Sequence, residues 1–149
     1  MKGAADGKGN LLESAGMTIL TKAEARARDD WRRAHVPLYN DQTLKLGVFG
    51  INCSNGVNIS HATTTHRITW EHVVEIARRA DAMGFELMLP VARWRGFGGA
   101  TDCNGESFET YTWAAGLAQA TTRIMVAATS HVPTMHPSVV AKQATTIDH

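Results

Sequence analysis

Cysteine is scarce in this chain, with Cys53 and Cys103 the only two in 149 residues. Two thiols are too few for the disulfide framework of a small secreted domain. Both sit beside turn-forming residues, where a bridge is geometrically open but nothing further supports it. Charge of one sign is lacking too. Fifteen basic and fourteen acidic side chains leave a net charge of +1, and neither half carries a basic block. Neither nucleic acid nor an acidic membrane surface is therefore an expected partner. No apolar run approaches the roughly 20 residues that span a bilayer. The opening MKGAADGKGNLLESAG lacks the apolar centre of a secretory signal. These absences predict a reduced, cytoplasmic protein. What is present, 44% apolar and 19% charged residues, suits one packed domain.

Residues 1–16 are rich in glycine and alanine and are expected to be disordered. Met17 offers a second candidate start. Thr21 followed by Glu24 forms a capping-box pattern ahead of the charged stretch Ala25–Arg33, which predicts a short, solvated helix. Its single large apolar residue, Trp31, makes it a peripheral arm. Pro37 and Asn40-Asp41 end it in a linker. The chain thus divides into an extension, 1–43, and a folded domain, 44–149.

From Leu44 the pattern changes. Leu44, Leu46, Val48, Phe49 and Ile51 read as a strand containing Gly47 and Gly50. A polar loop from Asn52 to Arg67 precedes a helix from Trp70 to Met83. Its Val73, Val74, Ala77, Ala80 and Met83 fall at helical spacing, with Thr69 as cap and Gly84 as the C-terminal glycine. The order repeats: strand Phe85–Leu89, loop 90–105, helix Glu106–Ala120 with Phe108, Tyr111, Leu117 and Ala118 inward. A third strand, Ile124–Ala128, and a loop, Thr129–His136, lead to a helix opened by Pro137. Three short, nearly all-apolar strands alternating with helices predict a parallel sheet buried on both faces. Three such units close nothing, because a barrel of this kind needs eight strands and roughly 250 residues.

Parallel strands would bring three loops to one edge, where βα folds bind ligands. The loops begin at Gly50, Pro90 and Thr129. The second, with Arg93, Trp94, Arg95, Gly96, Phe97, Gly98 and Gly99, has the makings of a pocket wall for a flat, anionic ligand. Structural uses compete with that reading. Arg93 and Arg95 could pair with Asp102 or Glu106, and packing is the commoner role for Trp94. The glycines do not fit a dinucleotide fingerprint, since no helix opens after them. Seven histidines suggest a metal, yet no HExxH occurs and no pair has zinc-ligand spacing. His61 and His66 fall in the polar loop and His72 on an outward helix face. His131 and His136 straddle Pro133, and His131 is better placed as a hydrogen-bond donor to a ligand. Cys53 has no base marked beside it, so a nucleophilic role has little support.

The stretches LKLGVFG, ARRADAMGFE, RWRGFGG, ESFETYTWAAGLAQATTRI and PSVVAKQATTIDH together resemble the start of the bacterial luciferase-like flavin monooxygenases. The pyrimidine monooxygenases are the nearest subgroup, with the dimethyl sulfone and alkanesulfonate monooxygenases beside it. The resemblance runs from Leu44 to His149. It implies the N-terminal part of a (β/α)8 TIM barrel, about three βα units, holding reduced FMN at the carboxyl ends of its strands. O2 then reacts with the flavin to oxidise a small organic substrate, a pyrimidine-like heterocycle or an organosulfur compound. A separate NAD(P)H-dependent flavin reductase would supply the reduced FMN. The cofactor carries the chemistry, which accounts for the lack of a marked acid–base pair.

By resemblance, Ala92 and Arg93 contact FMN, with Arg93 standing where the family example has lysine. Thr129 and Ser130 lie where the third strand's end passes the flavin ring. Asn52, Trp94 and His131 are candidate substrate-pocket residues. No catalytic residue and no metal ligand is assigned, and a homo-oligomer is allowed for. The family's chain continues well past His149 and carries the phosphate contacts there, so this chain is expected to be a partial barrel without turnover of its own. The alternatives are a deazaflavin-dependent oxidoreductase of the same fold and a non-catalytic, flavin-binding fragment. A metal-dependent barrel hydrolase is the most distant.

Overall fold

The computed structural model describes residues 20–149. The stretch expected to be disordered, 1–16, lies outside the described residues. Helix α1, Lys22–His35, starts where the capping box predicts: the Glu24 N–H donates to Thr21 Oγ1 at 3.3 Å, and the Thr21 N–H to Glu24 Oε2 at 2.8 Å. It runs past the expected 25–33 at both ends and buries none of its residues. Trp31 stacks on His35 and stays largely exposed. A 3-10 turn, Pro37–Tyr39, follows, with the Arg32 guanidinium over the Tyr39 ring.

Three parallel strands form one sheet in the order β1 (Gly47–Phe49), β2 (Leu87–Leu89), β3 (Met125–Val126). Val48, Met88 and Val126 stand in one row across it. The strands are shorter than their apolar runs. The ladder stops after Phe49 because Gly50 adopts φ +76, a left-handed turn that leads the chain out of the sheet. Helix α2 is Trp70–Ala82, capped by Thr69 and followed by Gly84 at φ +83. Helix α3 is Thr110–Ala120 and α4 is Pro137–Asp148, the latter capped by His136.

Helix α3 begins four residues later than the sequence predicts. Residues 104–108 pair instead with the loop after β1. Asn104 N–H donates to the Ser54 carbonyl at 3.2 Å, Ser54 N–H to the Glu106 carbonyl at 2.9 Å, and Phe108 N–H to the Asn52 carbonyl at 2.9 Å. A helix starting at 106 would forgo these bonds. Its buried residues are Thr110, Tyr111, Trp113, Ala114 and Leu117, so Tyr111 and Leu117 face inward as expected, whereas Ala118 points outward. Met83, expected inside α2, lies past the helix end and is exposed.

Among the described residues the core lies on one side of the sheet. Val73, Ala77 and Ala80 from α2 and Trp113, Ala114 and Leu117 from α3 cover Met88, with Ile124 at the margin. On the other side Phe49 and Leu89 remain 52% and 37% exposed. Burial on both faces, expected from the strands' composition, is therefore corrected. Successive crossovers of one hand lay their helices on the same side, and the opposite side faces what would be a barrel interior.

Two carboxylates lock the amino-terminal end of the sheet. Glu86, 2% exposed, accepts from Leu46 N–H at 2.7 Å and Asn40 Nδ2 at 3.2 Å. Those bonds, with Lys45 nearby, hold it below the usual carboxylate range. Asp81, near the end of α2, gathers the backbone that leads into β3. Neither carboxylate carries a local signal of its role, because their partners lie about 40 residues away in sequence.

Candidate functional site

Three loops, 50–69, 90–109 and 127–136, leave the carboxyl ends of the strands and meet over them. Between the second and third lies a recess of about 130 Å³. Ala92, Arg93, Trp94, Thr129 and His131 line it, five of the seven residues singled out in the sequence. Ser130 stands just outside, its hydroxyl hydrogen-bonded to that of Tyr111. Asn52 is elsewhere. It is fully buried and its amide bonds only to the backbone of Val91 and Phe108. Its expected place among substrate-contacting residues is not where the fold puts it.

Four lining residues escaped the sequence reading: Ser107, Glu109, Thr110 and Met135. A signal existed for two of them. In a βα unit the helix N-terminus lies at the same edge as the loop, so starting α3 at 110 brings Glu109 and Thr110 to the site. Glu109 caps that helix, accepting from Tyr111 N–H at 3.0 Å, Thr112 N–H at 2.8 Å and Thr112 Oγ1 at 2.8 Å. Burial pushes its carboxyl up, but these bonds outweigh burial and hold it below the usual range. At neutral pH it is a carboxylate with no proton to give.

Arg93 is the recess's principal charge. Its guanidinium carbon stands 4.0 Å from the centre of the Phe97 ring, in cation–π contact. Its Nε is buried without a hydrogen-bond partner. Among the described residues no ion pair joins Arg93 or Arg95 to Asp102 or Glu106, so the pairing weighed from sequence does not form. A buried, unpartnered donor is costly.

Trp94 is 75% exposed, which corrects the packing role expected for it. Its ring lies 6.1 Å from that of His131, tilted by 42°, and the two form the rim. Cys53 is fully buried, and burial pushes its thiol up to about 11, with Arg93 opposing the shift. It stays protonated at neutral pH and is no nucleophile. His66 is tied to the Cys53 carbonyl at 2.9 Å and neighbours His72. The polar loop is thus anchored there. Among the described residues no three His, Cys, Asp or Glu side chains gather as a metal site.

The glycines of the second loop have a steric cause. A Cβ on Gly96 would lie 2.6 Å from Gly105 Cα and 2.8 Å from the Asn104 carbonyl oxygen. The loop crosses itself there backbone to backbone, and neither side can yield alone. Gly96→Ala is expected to cost about 1–3 kcal/mol by overpacking, read as a lower urea midpoint. An unchanged midpoint would mean that the crossing is loose.

At about 130 Å³ the recess falls below the ~300–1,000 Å³ usual for an enclosed ligand. It is one wall of a site.

A model of the family described as luciferase-like monooxygenase matches residues 48–149. The pyrimidine monooxygenase RutA of Bradyrhizobium sp. (strain BTAi1 / ATCC BAA-1182) is 41% identical over 105 residues, covering 70% of this chain and 29% of the relative. Those of Acinetobacter baylyi (strain ATCC 33305 / BD413 / ADP1) and Serratia proteamaculans (strain 568) are 37% and 38% identical. Each match covers 70% of this chain, and 28% and 29% of the relatives' own lengths respectively. The chain therefore spans about three tenths of the length of these curated relatives.

Proposed function

Because the chain belongs to the luciferase-like monooxygenase family, we propose that residues 44–149 are the first βα units of an FMN-dependent monooxygenase, with 1–43 an N-terminal extension. The observation that carries this reading is the recess at the carboxyl ends of the strands, lined by Ala92, Arg93, Thr129 and His131. Reduced FMN, when bound, supplies the activation of O2. The protein's own residues bind, orient and exclude water.

Ala92 has the smallest side chain that still lines the wall, so a flat ring can approach the backbone beside it. Arg93 donates to the acceptor edge of that ring and balances negative charge on its reduced form. Thr129 and Ser130 close the site from the third loop. Trp94 and His131 hold the substrate at the rim, one by its aromatic face and the other by a ring nitrogen. The substrate is a small pyrimidine-like heterocycle, the class named for the relatives, with an organosulfur compound as the other candidate. A separate NAD(P)H-dependent reductase supplies the cofactor. Turnover requires further βα units to build the remaining walls.

Arg93→Ala is expected to weaken reduced FMN binding about tenfold or more, since a hydrogen bond from a charged donor contributes roughly 1.5–3 kcal/mol. Anaerobic titration of FMN absorbance measures it. Unchanged affinity would reduce Arg93 to a structural cation resting on Phe97. Binding of a deazaflavin in place of FMN would overturn the cofactor assignment.

A further inference from the structure

We propose that Asn52 is a positioning residue for the flavin wall, acting through Val91 without touching the ligand; the proposal rests on the FMN reading of the recess. Gly50 N–H makes the last bond between β1 and β2, to the Leu89 carbonyl at 3.1 Å, and the backbone then turns away at φ +76. Beyond that point β2's extension has lost its neighbour. The Asn52 side chain takes the neighbour's place. Its Oδ1 accepts from Val91 N–H at 2.8 Å, and its Nδ2 donates to the Val91 carbonyl at 2.9 Å and to the Phe108 carbonyl at 3.3 Å.

A primary amide presents a donor and an acceptor in one plane, as a peptide group does. It can therefore satisfy both polar groups of Val91. Asn52 is 0% exposed, and the other donor to the Val91 carbonyl, Cys53 Sγ at 3.9 Å, is a weak one. Two weaker holds secure the same segment. Thr129 Oγ1 donates to the Pro90 carbonyl at 3.1 Å, and Ser107 Oγ to the Arg93 carbonyl at 2.9 Å. Ala92 and Arg93, the residues that line the recess, follow directly on the residue that Asn52 fixes. The direction of the wall is set by an amide on its far side.

The test uses the whole 149-residue chain, wild type beside Asn52→Leu and Asn52→Asp. Leucine keeps the volume and loses all three bonds. Aspartate keeps the acceptor for Val91 N–H but sets oxygen against two carbonyls. Amide hydrogen exchange is followed at Val91, Ala92 and Arg93, with α2 and α3 as internal references, and reduced FMN is titrated anaerobically. Expected are exchange at Val91 about tenfold faster or more, at unchanged protection of the helices, and an FMN dissociation constant raised about tenfold. Asn52→Asp should shift FMN binding while sparing much of the Val91 protection.

Wild-type exchange rates at 91–93 in Asn52→Leu would overturn the positioning role. So would an unchanged FMN dissociation constant beside faster exchange. If Asn52→Leu fails to fold, Asn52→Asp decides by the FMN titration, where an unchanged dissociation constant would overturn the role. If wild type binds no FMN, the reading of the recess fails on its own and the exchange arm still decides whether Asn52 sets the wall.

Discussion

Trp113→Ala is expected to lower the stability of the fold by about 3–5 kcal/mol, the range for removing a buried tryptophan. Against a total of roughly 5–15 kcal/mol for a typical domain, that leaves little. Trp113 is 1% exposed and packs among the α2 residues Val73 and Ala77, Met88 of the sheet and Leu117 of its own helix. No neighbour can collapse into the space, since helices on one side and strands on the other hold it open. The indole Nε1 adds a second expectation, because it is buried without a hydrogen-bond partner. Trp113→Phe removes that unsatisfied donor while keeping an aromatic ring, so its loss should be about 1–2 kcal/mol, well short of the alanine variant. Urea unfolding followed by far-ultraviolet circular dichroism separates the two. Equal losses would show that the Nε1 proton contributes favourably where it is.

Asp81→Ala is expected to cost about 2 kcal/mol at neutral pH and progressively less in acid. The carboxylate accepts from Thr122 N–H at 2.8 Å, Thr122 Oγ1 at 2.9 Å, Arg123 N–H at 3.0 Å and Ile124 N–H at 2.7 Å. A bond to a charged group contributes about 1.5–3 kcal/mol when buried. Most of these donors border solvent, so water replaces part of what is lost. Burial pushes the Asp81 carboxyl up, but the four bonds prevail and hold it below its ordinary value of 3.8. A carboxyl depressed by folding stabilises the folded state in full above its unfolded value. It loses that contribution as pH falls through its folded value. The gap between wild type and Asp81→Ala should therefore be full near about pH 7 and shrink below about pH 4. Glu109, depressed for a similar reason at the start of α3, adds to the acid sensitivity of the wild type. A gap that stays constant into acid would assign the loss to packing in place of charge.

Much of the fold was legible because its signals are local. The capping box at Thr21 and Glu24, Thr69 ahead of α2, Gly84 behind it and Pro137 opening α4 each act within one turn of the chain, and each stands where the sequence predicts. Positions that depend on residues forty or more places away were misread. Helix α3 starts at Thr110 because residues 104–108 bond to 52–54. Trp94 is a rim residue because its neighbours in space leave it uncovered. Asp81 carries no local signal of its role, since its four donors lie beyond residue 120.

The recess divides in the same way. Sequence brought Ala92, Arg93, Trp94, Thr129 and His131 together through the rule that βα loops meet at the strands' carboxyl ends, and the recess contains them all. It misplaced Asn52, whose residue type suits a ligand contact and a backbone mimic equally well. Only the turn at Gly50 decides between them. By itself, then, the sequence determined the strand–helix alternation, the parallel order it implies and the edge where ligands are expected. Periodicity and capping are written in short spans of chain. The tertiary structure alone decided which face of the sheet is covered, where α3 begins, which donor at the site goes unpartnered and what holds the wall in place. Those depend on hydrogen bonds and burial between distant segments, and no local pattern encodes them.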